Sequence, residues 1–100
     1  MPTYKIAVTE EAQTDLGYYT AFERKIIVSQ IRERLSDQPK VETKNRKQLR
    51  ENPIASWELR IGKYRVFYDV PETVSLLVVI VPVGHKDHNS LVIRGKEVQL

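Results

Sequence analysis

One hundred residues are enough for a single domain with a core that needs no cross-links. Apolar residues make up 41% and charged residues 29%, as in ordinary globular proteins, and the lack of cysteine excludes disulfides and thiolate metal sites. The longest apolar run, Leu76 to Val83, is far short of a membrane span, and Met1 to Lys5 opens no signal-peptide stretch, so a cytoplasmic protein without membrane association is expected.

The net charge of +3 is unevenly spread. Residues 40–65 hold eight bases against three acids, while the flanking segments are each slightly acidic. A basic quarter of this kind suits a polyanion or an acidic protein, or is simply a solvated loop.

No repeat or low-complexity segment interrupts the chain. Residues 3–8 alternate, with Tyr4, Ile6 and Val8 on one side, and read as a strand. Thr9 is a helix N-cap, followed by Glu10 and Glu11 where the helix dipole favours acids. Ala12, Leu16 and Tyr19 continue at helical spacing. A second helix spans about 21–36, with Phe22, Ile26 or Ile27, Ile31 and Leu35 as its buried stripe. Residues 38–55 lack periodicity and read as loop. Trp57 to Ile61 and Tyr64 to Val70 alternate around Gly62-Lys63, a two-residue turn with glycine first, as a type II′ hairpin requires. Residues 74–83 form an apolar strand covered on both faces, with a bulge or unpaired stretch near Pro82. Residues 84–90 read as a polar loop, and 91–100 form an alternating tail of unsettled structure. The expected fold is therefore α+β over residues 1–100: an antiparallel sheet of about four strands, order β-α-α-β-β-β, with a two-helix hairpin on one face. The other face is left partly open for a site.

The hairpin register pairs Arg60 with Arg65 and Glu58 with Phe67. Trp57, Leu59, Ile61, Tyr64, Val66 and Tyr68 then face the core, and Glu58, Arg60 and Arg65 face away. Opposed arginines repel by a few tenths to about 1 kcal/mol. Either a nearby acid, Glu58 or Asp69, neutralises them, or they clamp an anion such as phosphate. His85 and His88 follow the long strand, where a histidine can act as acid or base or be an idle surface group. Two histidines without a third ligand do not make a metal site, so no metal or cofactor is expected.

The stretch Trp57-Glu58-Leu59-Arg60-Ile61-Gly62-Lys63-Tyr64-Arg65-Val66-Phe67-Tyr68 resembles the hairpin of the RelE/ParE toxin superfamily. Val83-Gly84-His85-Lys86-Asp87 resembles that superfamily's segment after the apolar strand, and Lys47-Gln48-Leu49-Arg50 its stretch before the hairpin. The resemblance implies the toxin of a type II toxin–antitoxin system. In RelE-type members it implies a metal-independent endoribonuclease that cuts mRNA on the ribosome and stops translation. The 2′-hydroxyl attacks the adjacent phosphorus and the 5′-oxygen leaves, which needs a base, an acid and cations. By similarity Arg65 contacts the scissile phosphate, with Arg60 and Lys86 as further cations. His85 is the acid or base, and Glu58 is a base or a partner for Arg60. Lys44, Arg46, Lys47, Arg50 and Lys63 are the expected RNA contacts.

Two departures stand out. Glu58 replaces a lysine of RelE proper, and Val92 falls where RelE proper has a tyrosine. They leave two alternatives open: a ParE-like toxin that binds DNA gyrase, or a degenerate member that only binds its antitoxin. All three readings imply a hetero-oligomer with an antitoxin.

Overall fold

The computed structural model describes residues 3–99. In chain order the elements are β1 (Lys5–Val8), α1 (Glu10–Leu16), α2 (Ala21–Leu35), β2 (Arg46–Gln48), β3 (Trp57–Ile61), β4 (Tyr64–Asp69), β5 (Leu77–Asp87), β6 (Ser90–Ile93) and β7 (Lys96–Val98). The sheet is seven-stranded. Its order is β2-β3-β4-β5-β6-β7, and β1 pairs with the first half of β5 in parallel. All other neighbours are antiparallel. The α+β architecture with two helices on one face is the expected one, with more strands.

Both helices start on threonine caps. Thr9 accepts the Ala12 N–H, and Thr20 with Glu23 closes a reciprocal capping box. The helices lie over the core cluster that contains Leu16, Ile27, Ile31, Leu35, Trp57, Leu59, Val66, Tyr68, Val78, Ile80 and Val83. Tyr68 is fully buried, and its hydroxyl donates to the Pro39 carbonyl at 2.6 Å, which satisfies the polar end of the ring. The expected α2 stripe holds at Ile27, Ile31 and Leu35 but fails at Phe22, which is 73% exposed. Phe22 and Ile26 lie on the side of the helix turned away from Ile27 and Ile31, so both are exposed.

The largest departures lie after residue 80. β5 does not end at Val83 but runs to Asp87, so the expected loop at 84–90 is strand followed by a tight turn at His88-Asn89. The tail forms the β6–β7 hairpin around Arg94-Gly95, both at positive φ. Leu91 and Ile93 from this hairpin pack with Phe67 and Ala55 into a second cluster on the far face of the sheet. Part of the face expected to be open is thus covered. Residues 38–55 are also not wholly loop, because β2 pairs with β3.

The Pro82 irregularity is a β-bulge. Between the pairs Val66–Val83 and Tyr68–Ile80, β5 carries one residue more than β4. The bulge frees the Val83 N–H from the ladder, and the fully buried Asp15 of α1 accepts it at 3.0 Å. Arg94 Nε lies 2.9 Å from Asp15 Oδ1, an ion-pair distance, yet off the line of a hydrogen bond. Burial raises the Asp15 pKa, against the Val83 N–H and Arg94, which lower it. Helix α1, the bulge and the C-terminal hairpin are joined through this one carboxylate.

Candidate nucleic-acid interface

β3 and β4 pair in the predicted register, Arg60 with Arg65 and Glu58 with Phe67. Opposed residues share a face, so Glu58, Arg60 and Arg65 stand together on the sheet surface away from the helices. β2 sets Lys47 directly opposite Glu58 on that surface. Glu58 is the hub. Its Oε1 lies 2.8 Å from Arg60 Nε and 3.8 Å from Arg65 Nε. The first contact is a charge-assisted hydrogen bond, and the second is an ion pair too long to be one. Of the two acids that could neutralise the arginine pair, Glu58 does so. Asp69 instead accepts the Ser56 N–H.

Exposure divides the trio. The Glu58 side chain is 6% exposed, Arg65 14% and Arg60 43%. Arg65 Nη1 donates to the Gly62 and Tyr64 carbonyls at 2.8 and 2.9 Å, bracing the turn. Its Nε is buried without a hydrogen-bond acceptor. Burial pulls the Arg65 pKa down, Glu58 pulls it up, and Arg60 lowers it again. A guanidinium stays protonated through such shifts.

β5 brings Gly84 opposite Arg65 and His85 opposite Tyr64. Gly84 and Lys86 therefore belong to the arginine face, and His85 to the helix face. The sequence puts His85 beside these cations; the structure separates it from them by the thickness of the sheet. His85 Nδ1 is instead hydrogen-bonded to the Tyr19 hydroxyl at 2.7 Å. The Tyr19 ring meets those of His85 and Tyr64 edge-on, each at 5.6 Å. The Tyr64 hydroxyl donates to Glu23, which also accepts the Thr20 N–H. The Tyr64 hydroxyl and then the Thr20 N–H hold the Glu23 pKa down to about 2. Glu23 in turn pushes Tyr64 up to about 12, and burial followed by the Asp15 charge pushes Tyr19 up to about 12.

Among the expected RNA contacts, Lys44, Lys47, Arg50 and Lys63 are exposed. Arg46 is engaged in the fold, donating to the Val41 carbonyl at 3.0 Å and the Arg34 carbonyl at 2.7 Å. Lys86 is half-buried at the border of the face, in a cleft shared with Ser90, Leu91 and Glu97. Among the described residues, no three His, Asp or Glu side chains are grouped to hold a metal ion. No described helix is long and apolar enough to cross a membrane.

The sequence reading missed Tyr19, Glu23, Asp15 and Arg94. The Thr20-x-x-Glu23 capping box was a readable signal for Glu23. Asp15 and Arg94 are 79 positions apart in the chain, and nothing local announces their pairing.

Two helices over one face of the sheet and a charged patch on the other define a small α+β domain with an ionic surface. Residues 6–89 match the family described as the ParE toxin of the type II toxin–antitoxin system parDE. The chain belongs to that family, within the RelE/ParE superfamily. It is also similar to a chain of the RelBE2 toxin–antitoxin complex from Mycobacterium tuberculosis. That likeness has a TM-score of 0.73 and 27% identity, covering 86% of this chain and 94% of that one. No curated protein matches the chain.

Proposed function

We propose that this toxin acts on RNA, cutting mRNA on the ribosome and so inhibiting translation, and that an antitoxin binds and restrains it. The observation that carries this reading is the grouping of Arg60, Arg65 and Lys47 on one helix-free face around Glu58. Two guanidinium groups on a rigid hairpin suit a phosphodiester, with Lys44, Arg50 and Lys63 exposed to follow its backbone. Arg65 is anchored by two carbonyls and is fixed in direction, whereas Arg60, tied to Glu58 through Nε, is the more exposed of the two and the more accessible to a ligand. Among the described residues Glu58 is the carboxylate that ion-pairs with both arginines, and it is the base candidate for the 2′-hydroxyl. The RelBE2 likeness, to a chain solved within a toxin–antitoxin complex, supports the partner.

A second reading is a ParE-like toxin that binds DNA gyrase. It is favoured by the family match and by His85, whose hydrogen bond to Tyr19 holds it on the face opposite the arginines. Primer extension on translating mRNA after induction separates the two. New 5′ ends that vanish in Arg60→Ala support RNA cleavage. Intact mRNA with DNA-damage induction and gyrase co-purification supports the other.

A further inference from the structure

We infer that Glu58 is a built-in competitor for phosphate: its carboxylate occupies the anion seat between Arg60 and Arg65 and weakens RNA binding until it is displaced. The inference rests on the RNA reading above and adds to it how the site sets its own affinity.

Three observations carry it. First, Glu58 is buried, although nothing in the hairpin pattern requires an acid there. Buried carboxylates need partners, and the Glu58 carboxylate has one hydrogen-bonded guanidinium and a second beyond hydrogen-bond reach. Second, the fit is unequal. Glu58 satisfies Arg60 Nε at 2.8 Å but stops 3.8 Å from Arg65 Nε, a buried donor with no acceptor. Glu58 presents the same oxygen, Oε1, to both arginines and hydrogen-bonds only Arg60. A phosphodiester brings a separate free oxygen for each guanidinium. Third, Glu58 is flanked on both sides. Phe67 is its cross-strand neighbour on one side and Lys47 on the other, so a ligand that reaches the arginines along this surface meets the Glu58 charge. Incoming phosphate therefore meets a pair already half neutralised, and each bound phosphate must overcome the Glu58 charge at close range. Only a ligand held by further contacts, along Lys47, Arg50 and Lys63 or by the ribosome, then occupies the seat firmly.

The test is fluorescence anisotropy with a labelled eight-nucleotide single-stranded RNA, titrated with wild type, Glu58→Gln, Glu51→Gln and the double variant Glu58→Gln/Arg60→Ala. Glu58→Gln keeps the shape and removes the charge. It should bind roughly ten-fold tighter at about 0.1 M salt, with a salt slope steeper by about 0.7 for each added phosphate contact. Glu51 is an exposed acid in the same basic segment, so Glu51→Gln changes net charge equally without touching the seat. It should gain about two-fold or less. Adding Arg60→Ala should cancel the Glu58→Gln gain. Equal affinity of Glu58→Gln and wild type, or an equal gain in Glu51→Gln, overturns the inference. Thermal melting confirms folding, and Glu58→Ala serves if Glu58→Gln does not fold. The readout is binding alone. Tighter binding of Glu58→Gln, with no mRNA cleavage by the wild type, keeps the competitor role and removes the ribonuclease, while cleavage by the wild type without the binding gain in Glu58→Gln does the reverse.

Discussion

A methyl group at residue 84 would lie 2.5 Å from the Val92 carbonyl oxygen and 2.8 Å from Ile93 Cγ1. The glycine in Val83-Gly84-His85 thus has a packing reason: β6 crosses directly over it. Because the nearest atom is backbone, Gly84→Ala should cost about 1–3 kcal/mol, read as a lower urea midpoint. An unchanged midpoint would show that β6 can shift away freely. Glu23 makes a prediction in pH. Its folded pKa, about 2, lies below its ordinary 4.5, so the unfolded chain holds the proton more tightly. Its stabilisation is complete above about pH 4.5 and is lost as pH falls towards about 2. Wild type and Glu23→Gln should therefore differ in stability near neutral pH and converge at about pH 2; a constant difference refutes the hydrogen-bonded carboxylate. Asp15 works in the opposite sense, since burial raises its pKa and acidification favours the fold through that group.

At the level of elements, the C-terminal hairpin is a lid on Phe67. Phe67 is fully buried, yet it lies on the face away from the helices, under Leu91 and Ile93. Phe67→Ala should cost about 3–5 kcal/mol, comparable to a main-core deletion. Denaturation would show this, and a loss below about 1 kcal/mol would mean the second cluster is loosely packed. Helix α2 depends on its first turn. Thr20→Ala opens the capping box and should cost about 1 kcal/mol in the same assay. Its extent was legible from the apolar spacing and from Pro39 beyond its end, whereas the Thr20–Glu23 cap and the exposure of Phe22 were found only in the structure. A helical stripe reports which residues align along the helix, not which of two adjoining apolar rows meets the sheet.

For the whole molecule, the decisive property is which face carries which charge. Arg60→Ala removes the most exposed member of the trio and should abolish growth arrest with little loss of stability. The paired measurement is colony growth on induction with thermal melting of the purified variant; arrest by a folded Arg60→Ala protein removes the arginine face from the toxic activity. The sequence by itself determined the α+β class, the Arg60–Arg65 and Glu58–Phe67 pairs and an irregularity near Pro82, because a two-residue turn, a two-residue alternation and a missing N–H are local rules. Tertiary structure alone decided that β5 extends to Asp87, that the tail folds back over Phe67 and that His85 faces Tyr19 rather than the arginines. Each of these depends on strand partners and buried contacts supplied by distant segments. When the polar run after Val83 is paired to β4 and β6, strand parity takes over, and one residue's shift along a strand sends a side chain to the opposite side of the sheet.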